Sequence, residues 1–90
     1  MPKFVIERHI PGVGSKSEEE LEAAGRSFVS VASQLSNKLT WIVSFVTEDT
    51  MYCVFSAPDS HLLRFHGSRT GYPADQVSVV KEILSPARVE

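Results

Sequence analysis

Four stretches of this chain repeat their apolar residues at every second position and two repeat them at every third or fourth, and the order of these periods leaves few folds open. Residues 3–10 (KFVIERHI) alternate as a strand does, with Phe4, Ile6 and Ile10 on one face and Val5, Glu7 and His9 on the other. Pro11-Gly12-Val13-Gly14 stops the strand, because proline lacks a ladder donor and glycine tolerates turn geometry. Ser17 precedes Glu20 by three positions, the spacing of a capping box, and Glu18 and Glu19 suit the positive end of a helix dipole. A helix is expected over 18–35, with Leu21, Ala24, Phe28, Val31, Ala32 and Leu35 on its buried stripe. Gly25 interrupts that stripe and marks a close approach to the sheet.

Residues 39–47 (LTWIVSFVT) and 51–57 (MYCVFSA) read as two strands joined by a turn at Glu48-Asp49-Thr50. Pro58-Asp59-Ser60 opens a second helix running to about Arg69, with Asp59 or Ser60 as its cap. Gly71-Tyr72-Pro73 ends it, 76–84 (QVSVVKEIL) reads as a last strand, and 86–90 form a tail. The order β-α-β-β-α-β with right-handed crossovers predicts an α+β, ferredoxin-like sandwich over residues 1–90. Its antiparallel sheet has strand order 4-1-3-2, with both helices on one face.

One sheet face then lacks a cover. Strict alternation packs Phe4, Ile6, Ile42, Val46, Cys53, Phe55, Val77, Val79 and Ile83 under the helices. It leaves Val5, Glu7, His9, Trp41, Val43, Phe45, Tyr52, Val54, Ser56, Val80 and Glu82 on the open face, which is too apolar for a solvated surface. A homodimer with stacked sheets is the expected remedy. With 90 residues the chain makes one domain of thin stability margin, and its single cysteine, Cys53, rules out an internal disulfide and suits a reducing compartment. A net charge of -2 with scattered Lys and Arg gives nucleic acid and anionic membrane no basic patch to hold. No apolar run approaches the roughly 20 residues that cross a bilayer, and the charged N-terminal stretch is no targeting segment, so the cytoplasm is the expected compartment.

The residues that could carry chemistry gather at one end. His66 follows Leu62 and Leu63 on the second helix and points inward, toward Arg8 and His9 of the first strand, with Arg69 three positions on. His66 and His9 are candidate metal ligands, or His66 an acid–base group, and Arg8 and Arg69 could hold an anion. A half-buried histidine bonded to backbone, beside solvated arginines, is the plainer reading. Glu7 on the open face is a candidate ligand, or a partner for Lys81 or for an arginine across the dimer. Trp41, Phe45 and Tyr52 form an aromatic set that could line an apolar pocket, though dimer packing also accounts for them. Cys53 reads as a small buried hydrophobe. Gly12-Val13-Gly14 lacks the third glycine of a dinucleotide loop and the lysine of a P-loop, and His61 reads as exposed.

The pattern ERxIPG at Glu7–Gly12, YCxxxAP at Tyr52–Pro58 and HxxRxGxPAD at His66–Asp75 resembles a family of small bacterial domains of unknown function. Its best-described relatives are nickel-binding proteins with a dimeric ferredoxin-like fold. The resemblance covers nearly the whole chain. It implies a ligand set drawn from acidic and histidine residues of the first strand and a histidine of the second helix, here Glu7, His9 and His66, with nickel as the cofactor. It also implies a further histidine near Thr70 and a carboxylate near Ser56, and this sequence has neither. The leading expectation is a non-enzymatic homodimeric protein that binds a transition metal or a small anion. The alternative is a small dimeric α+β-barrel enzyme with His66 as acid–base group and Tyr52 or Trp41 lining its cleft.

Overall fold

The computed structural model describes residues 1–90. Strand β1 (Lys3–His9) is followed by a single 3-10 turn at Val13–Ser15, and helix α1 spans Glu18–Leu35. The capping box closes α1 as its spacing predicts: Ser17 Oγ accepts from the Glu20 N–H, and the Glu20 carboxylate accepts from the Ser17 N–H. Strands β2 (Thr40–Val46) and β3 (Thr50–Ser56) form the hairpin. Helix α2 (Ser60–Thr70) starts at an Asp59 cap and stops at Gly71, whose φ of 79° is the left-handed conformation that terminates helices. Strand β4 (Gln76–Val79) and a short terminal helix α3 (Pro86–Val89) complete the chain.

The sheet order β2-β3-β1-β4 is the expected α+β topology, with every pairing antiparallel. Phe4, Ile6, Cys53 and Phe55 lie beneath the helices and join Ala24, Phe28, Ala32 and Leu63 in one core. No helix is long and apolar enough to cross a membrane.

Residues 86–90, expected as a tail, carry the short helix α3, and Val46 and Val79, expected under the helices, are exposed. Two further expectations fail for a backbone reason. Trp41 stands opposite Phe55, yet Val43 stands opposite Val54, so Ile42 is an extra residue in β2 and makes a bulge. Strict alternation had Trp41, Val43 and Phe45 on one face. The bulge instead turns Trp41 under α1, leaves Val43 and Phe45 on the open face, and puts Ile42, expected in the core, at 47% exposure. The last strand also ends early. Val80 N–H reaches Lys3 O, and β1 offers nothing beyond that point, so residues 81–84 have no neighbour to pair with. Ile83 is therefore exposed rather than packed under a helix, and Val80 and Glu82 are not strand residues of the open face.

Candidate functional site

The residues expected to form one polar site are divided by the sheet. Glu7 and His9 project from β1 onto the open face, where Glu7 lies opposite Tyr52 and Gln76. Arg8, between them, points the other way and is fully buried beneath the helices. His66 is fully buried on that same side. Arg8 and His66 thus share a neighbourhood, both lying against the Phe28 ring at 5.1 Å and 6.0 Å, while His9 does not join them. Nowhere in the chain do three His, Cys, Asp or Glu side chains converge as metal ligands would.

Arg8 is held by groups that never leave the fold. Its Nη1 donates to Tyr72 O at 2.8 Å and to Pro73 O at 3.4 Å, and its Nε donates to Cys53 Sγ at 3.3 Å. The guanidinium also stacks on the Phe28 ring, a cation–π contact strengthened by the exclusion of water. No carboxylate takes part, so the buried charge rests on carbonyl dipoles, sulfur and an aromatic face. Cys53 receives a second bond from Ser44 Oγ at 3.0 Å, and Ser44 in turn accepts from Trp41 Nε1 at 2.9 Å. The relay Trp41–Ser44–Cys53–Arg8 therefore ties the edge strand β2 through β3 to β1. It also makes Cys53 more than a small hydrophobe, since its sulfur is the middle of a polar chain.

His66 Nε2 lies 2.9 Å from Phe28 O. A carbonyl can only accept, so Nε2 carries the proton, and Nδ1 faces the core with no partner in the chain. Burial holds His66 below its ordinary pKa, the nearby Arg8 charge pushes the same way, and the Phe28 carbonyl opposes them. Neutral imidazole is thus the form that fits the core. Its ring packs edge-on to Phe55 at 5.1 Å, which makes His66 a packing residue that joins α2 to α1.

Asp75, which sequence reading did not single out, does comparable work outside the core. Its N–H donates to Glu7 O at 3.0 Å, and one carboxylate oxygen accepts from the His9 N–H at 2.6 Å, fastening the α2–β4 loop to β1. Arg69 is exposed and lies over the Phe65 ring at 5.9 Å, taking no part in the Arg8 bonds. His61 is exposed. The aromatic set is split as well: Tyr52 and Phe45 are cross-strand neighbours on the open face, and Trp41 meets Phe28 edge-on at 5.5 Å on the other.

The family model for nickel responsive proteins of the SCO4226-like type matches residues 4–80. The chain belongs to the SCO4226-like family. Its fold agrees with the crystal structure of SCO4226 from Streptomyces coelicolor A3(2), at a TM-score of 0.78 and 16% identity, over 91% of this chain and 99% of that one. No curated protein matches the sequence. Within the fold of this SCO4226-like chain, the signature residues Arg8, Cys53, His66, Gly71 and Asp75 have structural partners. Within a single chain no three candidate nickel ligands converge: His66 is buried beneath the helices, His9 stands across the sheet, and positions 56 and 70 are serine and threonine.

Proposed function

We propose that this chain is a non-catalytic binding protein that works as a homodimer stacked across its open sheet face, and that it lacks the nickel site a single chain of its family would hold. The uncovered face carries the first half of this reading. Phe45 is 59% exposed and Val43 39%, beside Val5, Tyr52 and Val54 on adjacent strands. A contiguous apolar surface of this kind on a small domain is the signature of an interface, and a twofold axis lets one such patch cover its copy. The burial of Arg8 and His66, with Glu7 and His9 on the opposite side of the sheet, supports the second half. A guanidinium with no exposed surface cannot meet a dissolved anion, and a core imidazole cannot serve as acid or base to a substrate in solution.

A second reading rests on one specific placement. Glu7 and His9 lie two positions apart on the open face, so stacking brings two copies of each to the same interface. A metal would then be shared between protomers and would not involve His66.

Light scattering at micromolar concentration, with nickel titrations of wild type, His66→Ala and His9→Ala, decides among these. A dimer that binds less than one nickel per two chains is the expected result. One nickel per chain, lost in His66→Ala, overturns the metal part of the proposal. Half a nickel per chain, lost in His9→Ala but kept in His66→Ala, establishes the shared site. A monomer overturns the dimer.

A further inference from the structure

A cleft opens on the helix side of the sheet, between α1 and the edge strand β2, lined by Trp41 but not by Glu7, His9 or His66. Its volume is about 630 Å³, within the range of small-molecule sites. The residues facing the gap explain why it is there. Along α1 the lining includes the small residues Ala24 and Gly25, and on β2 the bulge brings Trp41 to the same side as Ser44, so the helix and the edge strand leave a gap between them. Met51 and Phe28 form the floor, both buried. At Gly25 the helix comes close to the indole, and a Cβ there would lie 3.1 Å from Trp41 Cη2. Glycine permits that contact, and Trp41 is fixed by it on one side and by the edge of Phe28 on the other.

Glu22, Arg26 and Ser30 stand at the exposed helical rim of the cleft, and Ser44 Oγ is the polar atom of its inner wall. Ser44 Oγ accepts from Trp41 Nε1 and donates to Cys53 Sγ. A hydroxyl has one donor and two acceptor lone pairs, so this one has its donor spent and an acceptor site left. We infer that the cleft between α1 and β2 binds a small aromatic molecule carrying one hydroxyl or N–H donor, its ring against Trp41 and Met51 and its donor on Ser44 Oγ. The lining chooses this class. The apolar floor of Phe28 and Met51 favours an uncharged ring, the vacant acceptor on Ser44 favours a donor at the inner wall, and a charged group would have to stay at the rim with Glu22 and Arg26. The site lies on the opposite side of the sheet from the proposed dimer face, so it stands or falls independently of that assembly.

Trp41 is the only tryptophan, and its emission reports on this cleft alone. The full chain is titrated with 2-naphthol and with naphthalene by calorimetry, and Trp41 emission is followed in parallel. The expected result is saturable binding of 2-naphthol at one site per chain with Kd below about 1 mM. Naphthalene, which lacks the donor, should bind about fivefold more weakly, and Ser44→Ala should erase that difference. Val29→Glu puts a charge on the exposed helical wall of the cleft and should weaken 2-naphthol at least about tenfold, with circular dichroism showing the fold intact. Should that variant fail to fold, Val46→Lys tests the opposite wall. No saturable binding, or binding that leaves Trp41 emission and both wall variants untouched, overturns the site. Equal affinity for the two probes overturns the role of Ser44. Shielding of Trp41 from acrylamide that grows with protein concentration assigns the cleft to a second copy of the chain and overturns the small-molecule reading.

Discussion

The two faces of the sheet treat the same strand in opposite ways. On the helix side β1 contributes Phe4, Ile6 and Arg8, all buried, and every donor of Arg8 save Nη2 has a partner inside the fold. On the other side it contributes Val5, Glu7 and His9 to a surface that nothing in the chain covers. The signature residues Arg8 and His66 are thus out of reach of solvent, while Glu7 and His9 share the exposed side with valines and aromatics. A charged residue in a family signature points to chemistry only if solvent or a ligand can reach it. Here the helices have made Arg8 and His66 an internal brace, and a bland apolar alternation is left exposed on the open face.

The sharpest way to break this comparison is to remove the brace. Arg8→Ala deprives Tyr72 O and Pro73 O of their donor and leaves a void beside Phe28, with an expected loss of about 3–5 kcal/mol in urea unfolding. A variant with wild-type stability and altered ligand or metal binding would instead return Arg8 to the functional side.

The open face is tested by charge. Phe45→Asp buries a carboxylate at the proposed interface, and sedimentation should show dimer dissociation favoured by at least about 30-fold, near 2 kcal/mol. Unfolding of the monomer should change little, because Phe45 packs against no helix. If the oligomeric state is unaffected, the partner surface lies elsewhere.

The smallest effect is a pH dependence confined to the helix side. The unfolded chain takes up a proton at His66 near pH 6.5, and the folded chain does so only at lower pH because burial and Arg8 disfavour imidazolium. The unfolded state therefore binds more protons in that window, and stability falls as pH falls. The contribution is fully present above about pH 6.5 and is lost progressively as pH drops toward the lower folded value. The slope should not exceed about 1.4 kcal/mol per pH unit. Urea midpoints at pH 7.5 and 5.5 should differ in wild type and differ less in His66→Gln. An equal difference in both proteins would assign the dependence to other groups.

What could be read in the sequence follows the range over which each signal acts. The limits of α1 were legible because the Ser17–Glu20 box and the apolar stripe are local, and Asp59 announced α2 in the same way. The strand order followed from element order and handedness. Gly25 was legible as a close approach, but only the structure names its neighbour as Trp41. The face of Trp41 was not legible, since a bulge adds one residue without altering composition, and every alternation before it then changes sides. The end of β4 was hidden for a related reason: Lys81–Leu84 has strand character, but a strand needs a neighbour, and β1 begins at Lys3.

By itself, then, the sequence determined the two long helices, the four strands, their order and the existence of an uncovered apolar face, because these depend on periodicity and on caps within a few residues. Only the tertiary structure decided which polar residues are reachable. Arg8 and His9 are neighbours in the chain with the same chance of binding something, and the pleat sends one into the core and the other to the surface. His66 became a packing residue because a carbonyl of α1 lies within reach of its Nε2, a meeting of residues 38 positions apart that no local pattern encodes.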